Sequence, residues 1–178
     1  MKRFGWVVGV AALAAGIPLW GQGKEGGEHP QPPKHEQLEK MKSLVGEWTG
    51  TEGVGDTKQT ISINYRVTGG GSAVMETLFA GTDHEMLTVY TVDQGTLVLT
   101  HYCAMGNQPH MKAEAQKDPK VIEFTCDGKP GNCASEADQH MHAGKLTFVD
   151  ADHLQTAWAA FKDGKPAMEV KFDLTRKK

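Results

Sequence analysis

Two histidines flank a methionine at His140-Met141-His142, in a stretch that reads as the start of a β-strand. Side chains alternate faces along a strand, so His140 and His142 are expected on one side of it, about 7 Å apart. The same phase carries Leu146 and Phe148, which places both imidazoles on the core face. In a second expected strand, Leu97-Val98-Leu99-Thr100-His101-Tyr102-Cys103, His101 falls in phase with Leu97 and Leu99. Three inward imidazoles are unusual in a soluble domain, where histidine is only intermediately buried. Together, His101, His140 and His142 have the donor chemistry of a site for zinc or another divalent transition metal. A single imidazole on a cavity wall can instead ligate haem iron. The plain alternative is that each hydrogen-bonds a buried carboxylate or carbonyl in a polar core.

Glu76 and Cys103 are the nearest additions to this set. Glu76 sits in Ala73-Val74-Met75-Glu76-Thr77-Leu78-Phe79. If the Val74/Leu78 face is interior, its carboxylate is buried and needs a partner, from a histidine or Arg66, because an unpaired buried charge is very costly. If the Met75/Thr77/Phe79 face is interior, Glu76 is a surface acid. Beyond Tyr102 and Cys103, the turn Gly106-Asn107-Gln108-Pro109 offers two amides, Asn107 and Gln108. They either rim a site for a polar ligand or satisfy their own loop.

The elements that must position these residues are strands. His35 to Leu44, with Leu38, Met41 and Leu44 three residues apart, reads as a short amphipathic helix after Pro32-Pro33. After Trp48 that period disappears. Ile61, Ile63, Tyr65 and Val67 alternate with polar residues, Gly69-Gly70-Gly71 turns the chain, and Ala73–Phe79 returns. Further strands are expected at 85–92, 96–103, 110–115, 121–126, 139–149, 153–161 and 167–175, separated by turn-rich segments such as Asp93-Gln94-Gly95 and Asp163-Gly164-Lys165-Pro166. About ten short strands joined by hairpin-length turns avoid exposed edges best by closing into a barrel. A barrel of eight or more strands is wide enough to hold a small ligand. Tyr65, Tyr90, Tyr102, Trp158, Phe124, Phe148 and the methionines are expected to line or pad it.

Gly46-Glu47-Trp48, directly after the helix and at the head of the first strand, resembles the Gly-x-Trp signature of lipocalins and related calycins. Those barrels stack a late-strand arginine over the tryptophan, and Arg176 is placed to do so by a cation–π contact. Segments 44–50, 71–78, Thr100-His101-Tyr102-Cys103 with Gly106-Asn107-Gln108-Pro109, His140-Met141-His142, and 146–153 through Asp163-Gly164-Lys165-Pro166 resemble an uncharacterised family of secreted bacterial lipocalin-like proteins. The resemblance covers most of the chain after residue 40. It implies an all-β, closed antiparallel up-and-down barrel, lipocalin-like or nitrobindin-like, and brings no established activity. Nitrobindin-like barrels bind haem, so the resemblance makes haem a candidate, although no haem-ligand motif of that family falls on a particular histidine. His110 stands where that family carries arginine, a departure that leaves anion binding there without support.

Met1-Lys2-Arg3 and the apolar run from Phe4 to Leu19, interrupted by Pro18, read as a secretory signal peptide over residues 1–22. Residues 23–34, rich in Gly, Pro, Gln and charge, read as a flexible tether, and 35–178 as one barrel domain. The expected location is periplasmic or secreted, without stable membrane insertion once the signal is removed. Taking Lys2 and Arg3 from the 19 basic residues leaves 17 against 22 acidic ones, a formal net charge of −5. With no basic stripe, nucleic acid is excluded as a partner. Three cysteines allow three pairings. Cys126 and Cys133 bracket a turn-rich loop and make the preferred disulfide, leaving Cys103 a buried thiol.

Three functions follow. The first is an exported barrel binding a small hydrophobic or haem-like molecule, anchored by inward histidine or Glu76. The second is a metal-dependent enzyme using His101, His140 and His142, with Glu76 as general base. The third is a filled barrel without a small ligand. No Gly-x-Ser-x-Gly elbow and no glycine-rich phosphate loop supports other chemistry.

Overall fold

A computed structural model of the chain describes residues 34–52, 59–115, 117–128, 131 and 137–178. The signal peptide, nearly all of the tether, and Cys133 lie outside the described residues. A short helix, α1 (Glu36–Lys42), precedes ten strands: β1 (Gly46–Glu52), β2 (Gln59–Thr68), β3 (Ala73–Leu78), β4 (Met86–Asp93), β5 (Thr96–Tyr102), β6 (His110–Ala113), β7 (Val121–Cys126), β8 (His140–Phe148), β9 (His153–Lys162) and β10 (Lys165–Arg176). Each strand pairs antiparallel with its sequence neighbour, and β1 pairs β10, so the sheet closes into a barrel. Closure satisfies every strand edge, which is the physical reason a meander of this many strands adopts it. No helix among the described residues is long and apolar enough to cross a membrane.

One end of the barrel is plugged. Leu38 and Met41 of α1, with Leu44 just beyond it, are buried against the strands. The acidic first turn and basic last turn of α1 suit its dipole. Trp48 is buried, and its indole N–H donates to the Leu44 carbonyl at 2.7 Å. The Arg176 guanidinium lies 4.3 Å over the Trp48 ring. Its nitrogens donate to the carbonyls of Val45 (2.7 Å), Ser43 (2.8 Å) and Ala151 (3.1 Å). Between plug and mid-barrel, inward residues such as Tyr90, Leu97, Leu99, Ile122, Phe124 and Leu146 are fully buried and form a continuous core.

The other end is edged by the turns after β3, β5, β7 and β9, and it carries two β-bulges. One falls between Met141 and Ala143, opposite Ala160 and Ala159, and makes His142 the extra residue. The other falls between Pro166 and Met168 in β10. A bulge bends its strand and shifts which side chains face inward. Toward the plug from the first bulge, Gly144 and Leu146 face the core; toward the mouth it is Met141, not His140 or His142, that faces the barrel interior. The strict alternation expected for this strand therefore fails at one residue.

Candidate functional site

Register builds the site. Tyr65 of β2 pairs Glu76 of β3, Glu76 pairs Thr88 of β4, and Thr88 pairs His101 of β5. Because directly opposed residues share a face, these four side chains form one row on the inner wall. The Val74/Glu76/Leu78 face is the buried one. The partners of Glu76 are phenols, where the sequence suggested a histidine or Arg66. The Tyr65 hydroxyl donates to Oε1 at 2.8 Å and the Tyr90 hydroxyl to Oε2 at 2.5 Å. The Thr88 hydroxyl, on the same row, helps to hold the charged form of the carboxylate. Burial pushes the Glu76 carboxyl above its usual range, and these hydroxyls hold it back in part. The same burial, with the Glu76 charge beside them, raises both phenols well above their ordinary value.

Thr88 Oγ1 lies 3.0 Å from His101 Nδ1. Where the Thr88 proton points to Glu76, Oγ1 accepts and Nδ1 of His101 carries the hydrogen. Burial pushes the His101 imidazole down to about 4, so it is neutral at pH 7. A neutral imidazole protonated at Nδ1 presents a bare lone pair at Nε2. Among the described residues that Nε2 has no partner, and neither does the Trp158 indole N–H. The two rings stack with centroids 6.3 Å apart and planes 21° from parallel.

Both rings border a cavity of about 200 Å³ in the unplugged half of the barrel. The rest of its wall is mainly apolar, with Leu78, Phe79, Val170 and Phe172 joined by Met86, Met105, Met141 and Met168. These are four of the chain's eight methionines, a concentration of flexible, polarizable side chains that can reshape around an occupant. Met105 and Met168 are partly exposed and stand at the mouth. Two backbone features shape the wall. Gly144 lies under Trp158, where an added Cβ would come 2.3 Å from the indole ring. Phe79 holds a left-handed φ of 53°, costly for a bulky residue, and sets its ring edge-on to Phe172 at 6.5 Å.

The remaining sequence candidates separate from this cavity. Cys103 lines it, with a thiol that burial pushes up and therefore keeps protonated. Tyr102 points out of the barrel and is 48 % exposed, because it is one residue out of phase with His101. Asn107 does not line the cavity. Its amide donates to the Gln139 carbonyl at 2.8 Å and fastens the start of β8. The Gln108 amide contacts Gly106 within the loop at 3.5 Å. Gln108 thus bonds within its own loop, whereas Asn107 ties the loop to β8 and keeps a buried Oδ1 with no partner among the described residues. His140 is fully buried but lies off the cavity, with Nδ1 donating to the Asp138 carbonyl at 2.8 Å. His142 stacks on Phe161 at 4.1 Å. These two histidines converge on Cys126 and not on His101; the donor atoms of Cys126, His140 and His142 lie within 4.8 Å of one another. The expected tri-histidine set is therefore replaced by a Cys/His/His set, and the bulge at His142 is the cause.

Thr88 was missed as a site residue, and Trp158 was expected only to line or pad the barrel. Thr88 alternates with Met86 and Tyr90, and a polar residue at an inward position of β4 was the available signal. For Trp158 there was none, since an inward tryptophan is ordinarily core.

No protein-family model matches the sequence, and no curated protein matches it at a significant level. Solved structures do resemble the fold. A protein of unknown function from the DUF3598 family of Nostoc punctiforme superimposes with a TM-score of 0.52 at 10 % identity, over 76 % of this chain and 48 % of that one. Rv2717c from M. tuberculosis superimposes with a TM-score of 0.51 at 16 % identity, over 79 % of this chain and 97 % of that one. The present chain thus spans about half the length of the DUF3598 protein. At these identities the similarity is one of fold, a closed antiparallel barrel.

Proposed function

We propose that this chain is an exported binding protein. It holds a small, mostly apolar molecule bearing one hydroxyl group in the open half of its barrel. The observation that carries the reading is a pair of buried nitrogens with no partner among the described residues, Nε2 of His101 and the indole N–H of Trp158, on two residues that line the cavity. A hydroxyl accepts and donates at once, so a ligand carrying one can offer a partner to either nitrogen. The cavity volume of about 200 Å³ suits a ligand of that kind, being a little larger than the roughly 150 Å³ apolar cavity that holds benzene. It falls below the roughly 300–1,000 Å³ of pockets for drug-sized ligands, so haem does not fit. Export is supported by Met1-Lys2-Arg3 and the apolar run to Leu19.

Titration calorimetry with phenol and toluene, which share shape and differ in the hydroxyl, tests this. Phenol is expected to bind about tenfold or more tighter than toluene, and His101→Phe to remove that preference. Equal binding of the two would reduce the site to apolar shape alone. Binding of neither would favour a filled barrel, and a Soret band on adding haem would overturn the size argument.

A further inference from the structure

We propose that Cys126, His140 and His142 form a binding site for a divalent transition metal of the zinc class, at the barrel rim and separate from the cavity. The site is built by the end of β7 and the bulge of β8. The last ladder pair between those strands is Thr125 with Ala143, so Cys126, one residue further, comes beside His142. The bulge turns His142 out of the core phase toward His140, and Nδ1–H of His142 donates to Nε2 of His140 at 3.1 Å, a proton that a bound ion would replace. Tetrahedral coordination at about 2.0–2.1 Å per nitrogen sets two imidazole nitrogens about 3.4 Å apart. The pair is thus within a few tenths of an ångström of a chelating bite. The thiolate needs about 2.3 Å to the ion, and all three donor atoms already lie within 4.8 Å of one another.

A second observation points the same way. His140 is fully buried, and its Nδ1–H is committed to the Asp138 carbonyl, which can only accept. That bond fixes the tautomer and aims the Nε2 lone pair at the site, as the outer hydrogen bond of a metal-bound histidine does. Phe161, stacked 15° from parallel, holds the His142 ring. Two imidazoles and a thiolate are a borderline-soft donor set that selects zinc, cobalt or copper over magnesium or calcium. Three protein ligands leave a fourth position for water or another ligand. The inference does not depend on what the cavity holds.

The test uses the full mature protein, reduced and chelator-treated, with Zn²⁺ and Co²⁺ as probes. One equivalent of Zn²⁺ is expected to bind and raise the melting temperature. Co²⁺ is expected to give a near-ultraviolet thiolate charge-transfer band and visible bands of tetrahedral intensity. Cys126→Ser and His142→Ala should each weaken Zn²⁺ by at least about 100-fold, while His101→Gln leaves it unchanged. Should a variant fail to fold, the Co²⁺ spectrum of the unaltered protein decides the matter: no thiolate band overturns the proposal. So does a Cys126–Cys133 disulfide in the protein as isolated, which would consume the thiol.

Discussion

At the end where the barrel begins and finishes, every polar group of the key residues has a partner. The indole N–H of Trp48 reaches Leu44, and the three donating nitrogens of Arg176 take the carbonyls of Ser43, Val45 and Ala151. At the other end a second tryptophan, Trp158, is comparably buried, yet among the described residues it has no acceptor and the histidine stacked beside it has a ring nitrogen without a partner. Both ends place a large aromatic ring against a nitrogen-rich partner. One is closed by hydrogen bonds to the protein's own backbone, and in the other an indole N–H and a ring nitrogen have no partner among the described residues. Buried polar groups without partners carry a cost, so the Trp48–Arg176 pair is expected to stabilise the fold more than the His101–Trp158 pair does.

The sharpest way to break this contrast is Trp48→Ala. It empties the centre of the plug, removes the surface on which Arg176 stacks and leaves the Leu44 carbonyl without its donor. A loss of about 3–5 kcal/mol is expected from urea unfolding, with phenol binding by the remaining folded protein unchanged. A loss below about 1 kcal/mol would mean that the plug is not where the stability lies.

Acid attacks the mouth instead. His101 is pushed from an ordinary 6.5 down to about 4 in the fold. Between those values the unfolded chain binds the extra proton, so stability is complete above pH 6.5 and is lost as pH falls toward 4. The full shift corresponds to about 3 kcal/mol. Glu76 works the other way: its raised carboxyl keeps its proton to higher pH in the fold, which favours the folded state as pH falls and offsets part of the loss. Comparing His101→Gln with the unaltered protein at pH 7 and pH 4 isolates the histidine. The variant should be the less acid-sensitive of the two. Equal acid sensitivity would mean that His101 is not buried as a neutral ring.

Arg176→Ala returns to the plug with a smaller effect. It removes the donors to three carbonyls and the cation over Trp48, and should cost about 1–3 kcal/mol. Arg176→Lys should recover only part of that, because one ammonium cannot span three divergent carbonyls. Full recovery would reduce the contact to charge over a ring.

The two ends were not equally legible in the sequence. Alternation and turn residues placed nine of the ten strands, because residues such as Ile61, Ile63 and Tyr65 must share the buried face of a half-exposed strand; β1 was marked only by Gly46-Glu47-Trp48 at its head. The same rule put His101 inward with Leu97 and Leu99. Alternation carries no mark of a bulge, however, and one inserted residue at His142 was enough to exchange Met141 for two histidines on the cavity side. The polar row was hidden for a different reason. Tyr65, Glu76, Thr88 and His101 lie on four strands, and they meet only once the register of three hairpins is known. A hydroxyl that alternates with Met86 and Tyr90 shows that β4 turns a polar group inward; it does not show what that group will meet.

The smallest expected effect tests the mouth most directly. Met168 follows the β10 bulge, is 43 % exposed, and borders the cavity beside Met105. Its side chain is too solvent-exposed for truncation to open a cavity in the core, so Met168→Ala should change stability by no more than about 0.5 kcal/mol. It does widen the entrance. If the mouth admits a ligand, phenol should associate and dissociate faster in the variant, with little change in affinity, because the groups that hold the hydroxyl lie deeper at His101 and Trp158. Stopped-flow or exchange measurements resolve the two rates. Unchanged rates would place the entry route elsewhere. A large loss of affinity would make Met168 part of the binding wall and move the ligand outward from the polar row.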